Sequence, residues 1–177
     1  MKKSFLRLAF AALISQSSCA VTDSWVGVAP IIDSEGVEYL VRVGEENEKF
    51  NILLCKKNDC QKFYTSVSPC LSLFVHGDGE RISILWGSIN RYTVTIFYLK
   101  ERKLHLMLEE DIVGYPEYIA GNDGEYYVAL TSKVFEGARV RYFSSLYEPT
   151  KDGYSRVAQV PFDDRFKYWD LKIHKKN

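Results

Sequence analysis

The sequence is short of the residues that carry most enzyme chemistry. It holds three histidines in 177 residues and no Gly-x-Ser-x-Gly sequence, the pattern that presents a catalytic serine on a strained turn. It also lacks a glycine-rich phosphate loop, because Gly77 and Gly79 are not followed by a helical pattern. We therefore assign no catalytic residue, and we expect a protein that is not an enzyme and needs no cofactor.

An apolar run long enough to span a bilayer is missing from the start of the chain as well. The short apolar run 8–14 follows three basic residues and precedes small residues at the spacing that a signal peptidase reads. This run is far below the ~20 residues of a membrane span. We expect residues 1–20 to be a cleaved signal peptide and residues 21–177 to form a single β domain in the periplasm.

A second processing route fits the same leader. Cys19 stands where a lipoprotein signal places its acylated cysteine, although Gln16 occupies a position that is usually apolar. Acylation would hold the protein at the outer membrane, facing the periplasm. The sequence leaves both signal peptidase routes open, and lipidation at Cys19 would make the chain an envelope lipoprotein with a structural or assembly role.

The charge balance gives no support to a nucleic-acid partner. The whole chain has 23 basic and 23 acidic residues, and the leader takes three basic residues and no acidic one, so residues 21–177 carry an excess of three acids. An acidic domain gains nothing from the phosphates of DNA or RNA. It is also not drawn to an anionic membrane by its net charge, so we expect membrane contact only if Cys19 is lipidated.

The cysteines predict one disulfide. Cys55 and Cys60 flank a polar four-residue segment that is typical of a hairpin loop, and residues facing each other across such a hairpin lie within disulfide range. Pairing of either cysteine with Cys70 is the alternative, and one thiol is left over in each case. A zinc site built from these three cysteines and His76 is disfavoured, because its spacing lacks the usual two-residue separation and an oxidising compartment competes for the thiols. We predict no metal site.

Apolar and polar residues alternate with a period of two through most of the chain, as in residues 37–43, 82–87 and 92–99. Turn-forming glycine, asparagine and aspartate fall between these runs. The pattern predicts an all-β, antiparallel meander of roughly nine to eleven strands. We expect a sandwich or a strongly curved sheet, with a partial propeller-like stack as the alternative.

One numerical regularity bears on that alternative. Asp33, Asp78 and Asp123 are 45 residues apart, which is about the length of a four-stranded propeller blade. Leu40, Leu85 and Leu130 have the same spacing. We interpret it as a coincidence among evenly spaced hairpins, because three units are too few for a closed propeller and no signature dipeptide repeats.

Tyrosine is abundant, with 12 residues, and it serves binding surfaces well because it buries a large area at low entropy cost. Together with the missing catalytic pattern, this favours an exported bacterial protein that binds another protein. An immunity or inhibitor protein that neutralises an exported toxin or an envelope hydrolase would fit. A hydrolase whose acidic residues meet only in the fold is a further alternative. The candidate contact residues lie in and beside two hairpin loops: His76, Asp78, Asn122, Asp123 and Tyr126.

Overall fold

The computed structural model describes residues 25–88, 91–121, 124–151 and 153–166. The described strands form three antiparallel sheets of four consecutive strands each. The first sheet contains β1 (Trp25–Ile32), β2 (Glu38–Glu46), β3 (Lys49–Lys56) and β4 (Asp59–Ser66). The second contains β5 (Cys70–Val75), β6 (Arg81–Ser88), β7 (Arg91–Lys100) and β8 (Lys103–Ile112). The third contains β9 (Glu117–Ala120), β10 (Tyr126–Glu136), β11 (Arg139–Thr150) and β12 (Gly153–Pro161), followed by a 3-10 turn at Phe162–Asp164.

The predicted all-β, antiparallel meander is confirmed. Twelve strands are described, one more than the upper end of the predicted number. Every described sheet pairs neighbours in chain order, because each connection inside a sheet is a tight turn. Division into three successive sheets of four strands corresponds to the propeller-like alternative.

The three sheets stack face to face, and two apolar cores fill the spaces between them. The first core joins β2 residues such as Val41 to β6 residues such as Ile84. The second core joins the other face of the middle sheet, through Val94 and Ile96, to Val128 of the third sheet. The middle sheet is therefore apolar on both faces, which explains its nearly continuous hydrophobic strands.

The 45-residue spacing follows the length of one sheet, because Leu40, Leu85 and Leu130 all lie in the second strand of their sheet. The three leucines are not equivalent core positions. Leu85 and Leu130 meet in the second core, whereas Leu40 alternates with Tyr39 and Val41 of the first core and so lies on the outer face. The four-stranded sheet repeats, but the three leucines do not lie on equivalent faces of their sheets.

The predicted disulfide between Cys55 and Cys60 is confirmed. The two residues are paired across β3 and β4, with their Cα atoms 4.0 Å apart. Cys70 is a free thiol that is buried in the first core. Burial raises the pKa of the Cys70 thiol to about 11, which keeps it protonated and unreactive.

Replacing both Cys55 and Cys60 by alanine is expected to lower the free energy of unfolding by about 2 kcal/mol, the value for closing so short a loop. The loss comes from the unfolded state, which regains the conformational freedom that the cross-link removed. Urea denaturation of the variant and of the parent measures it. The variant Cys70→Ala serves as a control for the loss of a sulfur atom without the loss of a cross-link.

A hairpin projects from the third sheet. The β9 strand pairs with β10 only as far as Ala129, and β12 pairs with β11 only from Phe143 onward. Among the described strands, residues 133–142 therefore have only each other as neighbours, and we call them the hairpin arm. At about 3.4 Å per residue, the arm extends about 15 Å beyond the rest of the sheet.

Across the described ranges, no helix is long and apolar enough to span a bilayer.

Candidate protein-binding surface

The stack has two distinct ends. Two contacts show that the first strands of the three sheets run in the same direction. Ile32, at the end of β1, donates its backbone N–H to the Gly79 carbonyl at 2.8 Å, and Phe74 near the end of β5 stacks on Tyr118 of β9 with ring centres 4.4 Å apart. The turns between first and second strands consequently lie together at one end, which we call the turn end. The hairpin arm points to the opposite end, which we call the arm end.

The three turns at the turn end are built alike. In each, a glycine N–H donates to the carbonyl three residues earlier, at 2.9, 2.9 and 3.1 Å. These glycines are Gly36, Gly79 and Gly124, and each has a positive φ, between 77° and 84°. Glycine adopts that conformation at little cost, so the sequence dictates the three turns locally.

Aspartate side chains stabilise two of these turns in the same way. Asp33 Oδ1 accepts hydrogen bonds from the backbone N–H groups of Glu35 and Val37, at 3.0 and 2.8 Å. Asp78 Oδ1 accepts from the N–H groups of Glu80 and Arg81, at 3.0 and 3.2 Å. Such side-chain acceptors fix a turn without help from other strands.

Arg81 ties the second turn to the third. Its Nε lies 3.1 Å from Asp78 Oδ2, and its Nη1 donates to Glu125 Oε2 at 2.7 Å. The Arg81 side chain is largely buried, so this pairing is much less screened than a surface ion pair. Burial acts to lower the pKa of Arg81, but the hydrogen bond that Arg81 donates to Glu125 and the charge of Asp78 outweigh it and raise the pKa.

His76 lies beneath the same turn and not on its surface. Its side chain is 2 % exposed, and its Nε2 lies 2.7 Å from Ser83 Oγ. Its ring packs edge-on against Phe74, Tyr118 and Tyr126, with centroid separations of 5.2 to 5.8 Å. Burial, and to a smaller extent the charge of Arg81, lowers the pKa of His76 to about 4. His76 therefore supports the turn as a neutral packing residue, and a partner could not touch it directly.

The remaining predicted contact residues differ in how far they are exposed. Asp78 is exposed at the turn end, and Tyr126 is half-buried against Gly77. A Cβ atom on Gly77 would lie 2.6 Å from the Tyr126 hydroxyl oxygen, so a larger residue at position 77 would force the Tyr126 ring to move. Asn122, Asp123 and Cys19 lie outside the described residues.

The surface that the turns form is acidic. We call it the turn platform and define it as residues 34–37, 77–80, 121, 124 and 125. Its charged side chains in the described part of the chain are all carboxylates. Arg81 lies beside the platform and forms ion pairs with two of these carboxylates. The acidic members are Glu35, Asp78, Glu80 and Glu125, and Asp33 is buried below the first turn. Exposed Ile32 adjoins the platform and adds apolar area.

Two cavities in the described part of the chain differ in size and in openness. A cavity of about 70 Å³ lies between the second and third sheets, lined among others by Glu110, Tyr147 and Arg156. Sites for small molecules are typically about 300–1,000 Å³. The Tyr147 hydroxyl donates to Glu110 at 3.1 Å, and the lining contains no histidine. A more open depression of about 390 Å³ lies beside the β2–β3 turn. There the Asn51 side-chain amide donates a hydrogen bond to Glu46 and accepts one from the Thr65 hydroxyl.

Metal ligands do not gather in the described part of the chain. No group of three or more histidine, cysteine, aspartate or glutamate side chains there is arranged to hold a metal ion. The zinc set considered from the sequence is wrong, because Cys55 and Cys60 are joined in the disulfide and offer no thiolate.

Comparisons with known proteins find distant structural matches and no match in sequence. No protein-family model matches the chain. No curated protein matches it either. Among solved structures, a candidate 6-phosphogluconolactonase from Bacteroides fragilis is 11% identical, with a TM-score of 0.40 over 75% of this chain and 38% of that chain. The β-propeller domain of the Trilobed protease from Pyrococcus furiosus is 15% identical, with a TM-score of 0.42 over 73% of this chain and 42% of that chain. The chain spans about two fifths of the length of each, and likenesses of this size say nothing about activity.

Proposed function

We propose that this chain is an exported, non-catalytic protein that binds another protein through the turn platform. The observation that carries the proposal is the fixation of three turns side by side into one acidic surface. A surface whose shape is set before binding loses little conformational entropy when a partner docks. The partner that fits best is a protein with a basic contact patch, because complementary charge accelerates and orients association.

Within that class, we infer an immunity or inhibitor protein that neutralises an exported toxin or an envelope hydrolase in the periplasm. The disulfide supports an oxidising compartment, where such bonds persist. An envelope lipoprotein with a structural or assembly role is the second candidate. It is favoured by Cys19, which precedes the first described strand by only six residues.

Photo-crosslinking in living cells tests the proposal. A photoreactive amino acid replaces Glu35 on the platform, and the matched control replaces Glu45, an exposed acidic residue near the arm end. We expect one discrete adduct from position 35 and none from position 45. We also expect that deleting the gene makes the cells sensitive to the neutralised protein, and that the variant Glu35→Lys protects them less well than Glu45→Lys.

Two outcomes would contradict this function. One is a deletion strain without a phenotype combined with the absence of any platform adduct. The other is hydrolysis of an envelope polymer by the purified chain, which would favour the hydrolase alternative.

A further inference from the structure

The hairpin arm is apolar on one face and charged on the other. Cross-strand pairing places Phe135 opposite Val140, and Lys133 opposite Tyr142, on the same face. Lys133 Nζ lies 5.6 Å from the centre of the Phe135 ring. Phe135 is 66 % exposed, so nothing in the described chain covers this face.

The opposite face of the arm is mainly cationic. It carries Arg139 and Arg141, together with Glu136, whose carboxylate lies 2.9 Å from Arg141 Nε. Counting Lys133, the arm has three cations and one acid, in a chain whose expected mature form is acidic. The arm is thus a local excess of positive charge that projects from the stack.

Exposed apolar side chains concentrate at the same end of the stack. They stand on separate segments, and so do not form one compact pocket: the start of β1, the β4–β5 and β8–β9 connections, the start of β5 and the arm. The members of this set are Trp25, Val26, Val67, Leu71, Tyr115, Val134, Phe135, Val140 and Tyr142. Dispersed tryptophan, tyrosine and aliphatic side chains beside cations are typical of surfaces that rest in a lipid–water interface.

We propose that the hairpin arm is a lipid-contacting element that docks this protein on an anionic bilayer. This goes beyond the proposed function, which uses the opposite end of the stack, and it adds a membrane contact to the one expected through Cys19. The arm inserts Phe135 and Tyr142 among the lipid headgroups, while Arg139 and Arg141 pair with lipid phosphates. A fluid surface suits dispersed apolar groups, because it adapts to them without a complementary shape.

The position of the chain start agrees with this docking. Trp25 begins β1 at the arm end, and Cys19 precedes it by six residues, a reach of about 20 Å. An acyl chain on Cys19 would therefore enter the same bilayer that the arm contacts. Stable anchoring takes two such signals, since one acyl chain alone binds marginally. The acidic β2–β3 turn also faces this end, so the cations of the projecting arm supply the charged contact with anionic lipid.

Vesicle flotation tests the proposal with residues 21–177, which contain no acylation site. The probes are vesicles of phosphatidylcholine alone and vesicles with about a third phosphatidylglycerol, an anionic lipid. We expect binding to the anionic vesicles only. Arg139→Gln combined with Arg141→Gln should weaken it about thirtyfold, the effect of removing two basic residues near the surface. Phe135→Ser should weaken it about tenfold or more, the effect of losing one buried aromatic side chain.

The β7–β8 turn supplies a matched control. It also carries three cations and one acid, Lys100, Arg102, Lys103 and Glu101, but at the turn end. Arg102→Gln with Lys103→Gln removes the same charge as the arm variant, and Leu106→Ser removes an exposed apolar side chain of the same sheet. Both controls should leave vesicle binding unchanged.

Three results would overturn the lipid contact. The first is no binding of the chain to anionic vesicles. The second is a loss of vesicle binding in the β7–β8 control that equals the loss in the arm variant. The third is that the arm variants lose a protein adduct although the parent never binds vesicles. The last result would make the arm a protein-docking element. We expect the platform variant Glu35→Lys to bind vesicles as the parent does. Loss of the platform adduct and loss of vesicle binding therefore report separately on the proposed function and on this inference.

Discussion

Replacing Trp86 by alanine is expected to lower the free energy of unfolding by about 3–5 kcal/mol. Trp86 is the largest fully buried side chain in the described structure, 1 % exposed, and it stacks on Tyr64 with ring centres 5.8 Å apart. Its indole Nε1 donates to the hydroxyl of buried Thr95 at 2.8 Å. The substitution leaves a cavity in the first core and removes the donor for that hydroxyl.

Urea denaturation measures this loss, which is a large fraction of the ~5–15 kcal/mol that holds a domain folded. The variant Trp86→Phe separates the two causes, because it restores most of the volume but not the hydrogen bond. The control Trp25→Ala removes a tryptophan that is 38 % exposed and should cost far less. Equal losses in Trp86→Ala and Trp25→Ala would show that the first core does not carry the stability.

The free energy of unfolding is expected to fall by about 3 kcal/mol between pH 6.5 and pH 4 through His76 alone. The pKa of His76 is lowered from 6.5 to about 4 in the folded protein. The unfolded chain therefore binds a proton in this window while the folded chain does not. Stability is fully present above pH 6.5 and is lost as the pH falls towards 4.

Chemical denaturation across this pH window tests the expectation. His76→Gln removes the titration and retains a nitrogen near the position of Nε2, so its stability should vary less with pH than that of the parent. His105→Gln, which replaces an exposed histidine, should reproduce the parent profile. If His76→Gln and the parent lose stability in parallel, protonation of His76 is not the cause.

The strands and turns were open to prediction because their causes are local. Alternation with period two marks a pleated strand, and Gly36 and Gly79 mark turns that need a positive φ. The disulfide was also predictable, since a four-residue loop places Cys55 opposite Cys60. Each of these features depends on residues that are close together in the sequence.

The features that the sequence did not predict depend on contacts with strands and sheets that are distant in the sequence. His76 adjoins a turn, which favoured an exposed position, but the third sheet brings Tyr118 and Tyr126 over it. The hairpin arm was missed for the same reason. Residues 133–142 alternate like any half-buried strand. The short β9 and the late start of the β12 pairing leave them without a further neighbour among the described strands.

The open stack has a consequence for how this architecture tolerates change. Each sheet is one continuous stretch of chain. Within the described residues, one apolar seam joins the first sheet to the second and another joins the second to the third, while a further small buried cluster lies on the far face of the third sheet. Deleting or appending a whole terminal layer would alter one seam and leave the other intact, as in repeat proteins. Loss of the middle layer would break both seams at once. Gene duplication or truncation in steps of about one sheet is therefore the modular route by which such a chain can lengthen or shorten.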